Sequence, residues 1–218
     1  MNRNANNRII TSTVAFLAVF VAVLFLGSCG GGDYEKPSTT LSGSPLISAS
    51  TLKSWIDEGK VNGTGYDRVV ILDVNSYATY TTGHVPGALF VDSIDLSQSR
   101  NEGVAGSTNE ILEGSKMDDL IQRYGIDDKT TVVFTASSMV NATRAYFTFR
   151  YWGFSKSRLK VLDGLNSTWN STYGFVAELP PVVARSSYSV KSNRVLRNDL
   201  RVSLSEMIDY SGDHIACP

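Results

Sequence analysis

The run Val69-Val70-Ile71-Leu72-Asp73-Val74, apolar and mostly β-branched, constrains this chain more than any other stretch. A strand with one wet face alternates apolar and polar side chains. A nearly unbroken apolar run suits a strand covered on both faces, as in a parallel sheet between helices. Ala88 to Val91, Thr131 to Phe134 and Leu159 to Leu162 have the same character over shorter lengths. Between them lie helical stretches, Met117 to Tyr124 and Ala142 to Trp152. A first short helix runs to about Glu58; Ser48 or Ser50 can cap it, and Leu52, Trp55 and Ile56 share one face. Strands alternating with helices imply an α/β domain with a doubly wound parallel sheet and helices on both faces. Ser93 to Ser115 is polar and rich in Gly and Ser, and reads as a long surface loop. After Tyr173 the chain becomes irregular, and Pro180-Pro181 marks a linker.

The two ends carry different signals. Arg3 and Arg8 precede an apolar stretch from Ile9 to Leu26, followed by the small residues Gly27 and Ser28, which is the layout of a secretory signal. Ile9 to Leu26 also approaches the length of a bilayer span, so an uncleaved anchor is the alternative. Leu26-Gly27-Ser28-Cys29 resembles the bacterial lipobox and favours cleavage before Cys29 with lipidation of that residue. The chain then divides into a signal peptide over 1–28, a tether over 29–45 that is rich in Gly, Ser and Thr, a folded domain over 46–175 and a linker over 176–200. The implied location is the cell envelope, with a lipid anchor in the membrane and the domain facing the periplasm or the cell surface.

Only Cys29 and Cys217 are present, so lipidation leaves Cys217 without a partner and excludes a disulfide framework or a Cys-rich metal site. The two histidines, His84 and His214, make no metal cluster. Neither a metal nor another cofactor is expected. The 20 basic and 21 acidic residues balance almost to neutrality, and no Lys/Arg-rich run occurs, which argues against nucleic acid as a partner.

Two groups of motifs carry a family resemblance. The first is Leu72-Asp73-Val74, Tyr80 and Gly83-His84-Val85-Pro86-Gly87-Ala88. The second is Thr131-Val132-Val133-Phe134, a loop, a helix with Ala142 and Arg144, then Gly153, Val161-Leu162-Asp163-Gly164 and Trp169. In this order they resemble the rhodanese-like family, and more narrowly the N-terminal, cysteine-free domain of tandem thiosulfate or mercaptopyruvate sulfurtransferases. Gly83, Pro86 and Gly87 make a tight turn, and His84 reads as a hydrogen-bonding brace for it.

The resemblance implies a loop of backbone N–H groups at a helix N-terminus, with a Cys thiolate at its start that carries sulfane sulfur as a persulfide. In this chain Thr135 takes the Cys position, followed by Ala136, Ser137, Ser138, Met139 and Val140, with the helix opening near Asn141. A Thr hydroxyl is a poor nucleophile without a base and cannot form a persulfide. The loop itself supplies no His, Asp, Glu or Lys, so a Ser/Thr hydrolase reading of Ser137 or Ser138 fails as well. No catalytic residue is therefore assigned. The loop from Thr135 to Val140, with Arg144, is instead expected to cradle a small sulfur oxyanion or phosphate, while Arg144 could equally pair with a surface carboxylate. Asp73 reads as a cap for the turn after its strand. Asn75 stands where the family often has Arg, and Leu165 where it has a second Gly. The Asn-x-Thr triplets at Asn62, Asn141, Asn166 and Asn170 carry no message in a bacterial lipoprotein.

A short internal echo completes the reading. Ile47-Ser48-Ala49-Ser50-Thr51-Leu52 aligns with Val202-Ser203-Leu204-Ser205-Glu206-Met207, and Trp55 with Tyr210, so that 201–218 reads as the start of a truncated second copy. Three functions follow: a non-catalytic binding or regulatory module, the N-terminal half of a sulfurtransferase that needs a Cys-bearing rhodanese domain as partner, or an envelope scaffold without a ligand.

Overall fold

The computed structural model describes residues 43–102, 105–193 and 196–213, all within the unit Thr40–Pro218. The signal peptide, Cys29, the tether up to residue 42, His214 and Cys217 lie outside the described residues. In chain order the elements are β1 (Leu46–Ile47), α1 (Ala49–Asp57), β2 (Val69–Asn75), α2 (Tyr77–Thr82), β3 (Leu89–Asp92), β4 (Gln98–Glu102) and β5 (Ala105–Glu110). They continue with α3 (Gly114–Arg123), β6 (Thr131–Thr135), α4 (Met139–Tyr151), β7 (Leu159–Leu162), α5 (Leu165–Tyr173), α6 (Val190–Asn193) and α7 (Leu204–Asp213).

The main sheet has the order β1-β7-β6-β2-β3 and is parallel throughout. Every residue of β2 is buried, as its composition requires. Val70, Leu72, Val74, Val132 and Phe134 pack against Met117, Leu120 and Ile121 of α3 and Ala142, Ala145 and Phe149 of α4. Val69, Ile71 and Val133 point the other way, toward Leu52 of α1 and Trp169 of α5. The sheet is thus covered by helices on both faces. Strand alternation has a consequence for the site: Asp73, Asn75 and Thr135 fall on the α1/α5 side, at the carboxyl ends of β2 and β6.

Helix α1 starts where the sequence places it. Ser48 is the cap, its hydroxyl accepting the Thr51 N–H at 3.1 Å. The Gly83–Gly87 turn is braced by His84, whose Nδ1 lies 2.9 Å from the Tyr80 carbonyl while its ring stacks on Tyr80 at 3.8 Å. Gly87 has φ 76°, and Asn62 Nδ2 donates to its carbonyl at 2.8 Å.

Two segments differ from expectation. Ser93 to Ser115 is not an open loop: a 3₁₀ turn at Ser93–Leu96 leads into the antiparallel pair β4–β5. Leu96 and Leu112 anchor this insert in the core, and Trp152 Nε1 donates to the Leu112 carbonyl at 3.1 Å. Its strands are polar and leave no apolar period to read. Residues 176–189 are irregular, yet they and the start of α6 lie against the domain. Val176 bridges to His84, the Ser186 N–H donates to the Gln122 carbonyl at 3.1 Å, and Val190 is fully buried. Among the described residues no helix is long and apolar enough to cross a membrane.

Candidate functional site

Strands β2 and β6 are neighbours in register, which sets Asp73 beside Thr135. Both residues have no exposed surface. Thr135 Oγ1 donates to Asp73 Oδ2 at 3.2 Å, and Asn166 Nδ2 of α5 donates to the same oxygen at 2.9 Å. Asn75 Nδ2 donates to Asp73 Oδ1. The carboxylate therefore has three neutral donors. No ion pair reaches it among the described residues. Burial pushes the Asp73 carboxyl up from its ordinary value, and the hydrogen bonds from Asn166, Asn75 and Thr135, with the nearby His84, oppose that shift without cancelling it. Asn166 Oδ1 is buried without a partner.

The same residues stitch down the loop above them. The Asn166 N–H donates to the Ala136 carbonyl at 3.1 Å, and the Ser137 N–H donates to Asn75 Oδ1 at 3.1 Å. Helix α4 opens at Met139, two residues before Asn141, with Ser138 at the N-cap and no side-chain cap bond. The loop proper is thus Ala136 to Ser138, and Met139 and Val140 belong to the first helical turn. The amides of Met139, Val140 and Asn141 have no acceptor within the helix. Ser137, Ser138, Met139 and Val140 are exposed, whereas the Thr135 side chain lies beneath the loop. Arg144 sits one turn along α4 and reaches the Asn109 amide oxygen at 3.5 Å rather than a carboxylate.

Several expectations change at this site. Asp73 does not cap the turn after β2. Ser76 does, accepting the Thr79 N–H at 3.3 Å, and Asp73 turns inward to the cluster. The loop itself has no base, but β2 brings a carboxylate within hydrogen-bonding reach of Thr135. That pair still makes no nucleophile, because neither residue is accessible to a substrate. Tyr80 stays protonated near neutral pH: burial first, then the Asp73 charge, pushes its hydroxyl up to about 12, and the hydroxyl hydrogen-bonds to the Ala88 carbonyl at 2.7 Å. Leu165 adopts φ 58° right after Gly164 at φ 71°, so the left-handed backbone persists where Leu replaces the expected second Gly. Two members of the cluster escape sequence reasoning: Asn75, visible only as a departure from the family, and Asn166, visible only in an Asn-x-Thr triplet. Each lies at or soon after the carboxyl end of an apolar run, where ligands gather in such sheets, and that position was the available signal.

A parallel α/β domain whose central strand runs through a short loop into a helix, over a buried polar cluster, defines the class. The profile of the rhodanese-like domain family matches residues 48–172, and the chain belongs to that family. It is 26% identical over 188 residues to a Haloferax volcanii protein named "Putative thiosulfate sulfurtransferase", covering 79% of this chain and 62% of that one. It is 30% identical over 143 residues to the Mycobacterium tuberculosis protein "Putative thiosulfate sulfurtransferase SseB", covering 62% of this chain and 46% of that one. Among solved structures, the 3-mercaptopyruvate sulfotransferase SseA of Escherichia coli superposes with a TM-score of 0.62 at 16% identity, covering 78% of this chain and 63% of that one. An anaerobic ergothioneine biosynthesis enzyme from Chlorobium limicola gives a TM-score of 0.51 at 19% identity, covering 65% of this chain and 36% of that one. These two structural likenesses speak to the fold alone. The chain spans about half to two thirds of the length of the curated relatives it matches.

Proposed function

We propose that this protein is an envelope-anchored rhodanese-like module that forms no persulfide of its own. The observation that carries the reading is Thr135, buried and bonded to Asp73 at the position the family resemblance gives to the sulfur-carrying Cys. Without a thiolate there, sulfane sulfur has no acceptor. The loop keeps its free helix-terminal amides, which suit weak binding of thiosulfate, sulfate or phosphate, on the order of millimolar for so exposed a site. The purified full chain is expected to release no thiocyanate from thiosulfate and cyanide above background. Thiocyanate formation that persists after Cys217→Ser would overturn the reading.

The envelope location rests on Leu26-Gly27-Ser28-Cys29 behind an apolar run. Metabolic labelling with a fatty-acid analogue is expected to tag the wild-type chain and to be lost in Cys29→Ser. Equal labelling of both would rule out the anchor.

Helix α7 favours a second reading, the N-terminal half of a sulfurtransferase. Ser203 caps α7 as Ser48 caps α1: the Glu206 N–H donates to Ser203 Oγ at 3.2 Å, and the Ser203 N–H donates back to Glu206 Oε2 at 2.7 Å. Ile47, Ala49 and Leu52 are 6%, 8% and 0% exposed, whereas their counterparts Val202, Leu204 and Met207 are 46%, 40% and 56% exposed. An apolar face like that of α1 is exposed among the described residues, and the sheet of a Cys-bearing rhodanese-like domain would cover it as the sheet here covers α1. Thiocyanate production that appears only when such a domain is supplied would establish this reading in place of the first. The third, a scaffold without a ligand, requires loop amides that no anion moves.

A further inference from the structure

We propose that the amino end of the sheet, an apolar cleft beside β1 with a basic rim, is a docking face for an anionic lipid surface. Docking turns the loop after β6 away from the bilayer. The inference rests on the envelope-anchored reading and adds how the domain sits once it is anchored.

The strands of the main sheet are parallel, so the starts of β1, β6 and β7 share one end. There Leu46, Ile47 and Trp55 line a cleft of about 440 Å³, together with Thr131, Ser157 and Lys160. Leu46 is exposed and Trp55 half-buried. Beside the cleft Arg158 lies over the ring of Tyr66, 4.2 Å from its centroid, and donates to the Lys129 carbonyl. Tyr66 is exposed as well. Aromatic rings and long basic side chains next to aliphatic surface suit the boundary between lipid headgroups and acyl chains.

The rim is basic. Lys129, Lys156, Arg158 and Lys160 enter no ion pair among the described residues. Nearby, Lys53, Lys60 and Arg68 are paired with Asp57, Glu58 and Asp127. Against the four open cations stand the neighbouring acids Asp67 and Asp128, so positive charge prevails. Each basic side chain near an anionic membrane strengthens binding about fivefold, within roughly a Debye length of the surface.

The tether joins the domain at this same end. Ser44 and Pro45 lead into β1, and Lys160 Nζ holds the Ser44 carbonyl at 2.6 Å. Fourteen peptide links separate Cys29 from Gly43, a reach of about 50 Å at full stretch. An anchor at Cys29 would therefore bring this end to the bilayer first. The rim then meets headgroup phosphates, and Leu46, Trp55 and Tyr66 meet the acyl boundary. Strand β6 runs from this end to Thr135, so a docked domain holds the loop after it toward open solvent.

The experiment takes the full chain from the membranes of expressing cells. It is reconstituted in vesicles of phosphatidylcholine alone or with an equal part of phosphatidylglycerol, each carrying brominated acyl chains that quench tryptophan emission on contact. Trp55 is the half-buried reporter, whereas Trp152 and Trp169 are buried. Quenching is expected to be at least about fivefold stronger on the anionic vesicles and to vanish in concentrated sodium chloride. Lys129 and Lys156 are exposed, and Lys129→Glu with Lys156→Glu should bring the anionic value down to the neutral one. Trp55→Phe should leave the remaining emission unquenched.

Equal quenching on both vesicles, or an unchanged value in the paired Lys variant, would overturn the docking face and leave the anchor standing. Quenching that survives Trp55→Phe would put another face on the membrane and overturn it too. A wild-type chain that stays in the aqueous fraction would overturn both readings. Should a variant fail to fold, the wild-type contrast between the two vesicles, and its loss in salt, decide the matter alone.

Discussion

Thr135→Cys is expected to leave this domain without sulfurtransferase activity, even though it supplies the missing thiol. Position 135 has no exposed surface, and its side chain meets the Asp73 carboxylate at 3.2 Å. A thiolate there would be desolvated and would face a like charge, and both effects hold the thiol protonated. In a background with Cys29 and Cys217 replaced by Ser, the new thiol should react with an aromatic disulfide reagent about a hundredfold more slowly in the folded protein than after unfolding. That factor corresponds to a local opening free energy of about 3 kcal/mol. Thiocyanate production by the variant, or equal thiol reactivity in the folded and unfolded states, would show that the side chain faces the open side of the loop.

Asp73→Ala and Asp73→Asn are expected to move stability in different ways. The Ala variant leaves Thr135 Oγ1, Asn75 Nδ2 and Asn166 Nδ2 without their shared acceptor in a site closed to bulk water. A loss of about 2–4 kcal/mol in urea unfolding follows, since each orphaned buried group costs on the order of 1–3 kcal/mol and part is regained by relaxation. The Asn variant keeps the shape and the donors in use. Because burial raises the folded-state pKa of Asp73, this group contributes stability below the unfolded carboxyl pKa and loses it as pH rises through the folded value. Asp73→Asn should therefore match or exceed the wild type at neutral pH and lack that acid-side gain. A neutral-pH loss as large as that of the Ala variant would mean that the ionised carboxylate is itself a source of stability.

The fold was legible because its determinants are local. The apolar run of β2, the Ser48 cap and the Gly83–Gly87 turn each announce their structure within a few residues. Strand β1 escaped notice because two residues carry no period. The β4–β5 insert escaped because its strands, Gln98–Glu102 and Ala105–Glu110, are polar and show no apolar alternation. The site was legible by half. Thr135 stands out where a motif is broken, but its environment is assembled from distant positions. Asp73 and Thr135 are 62 residues apart in sequence, and Asp73 and Asn166 are 93 apart. No spacing rule links such residues; the parallel register of β2 and β6, and the start of α5 beside the end of β7, bring them together. The buried carboxylate beneath the loop is therefore a property of the sheet, invisible in the loop sequence that shows the missing Cys.

Strand β1 has a mechanical meaning under the proposed lipid anchor, which would hold the domain by its N-terminal side. Tension from such an anchor would enter through Ser44, Pro45 and β1. It is resisted by Lys160 Nζ on the Ser44 carbonyl at 2.6 Å, the Val161 N–H on the Pro45 carbonyl at 2.7 Å and the Asp163 N–H on the Ile47 carbonyl at 2.9 Å. The pull runs along two parallel strands, so these bonds are loaded in shear and share the force, instead of opening one after another like a zipper. Ile47, 6% exposed, adds an apolar plug to the clamp. Under that anchor the short edge strand would work as a strain relief, taking up a tug on β7 before it reaches the loop after β6.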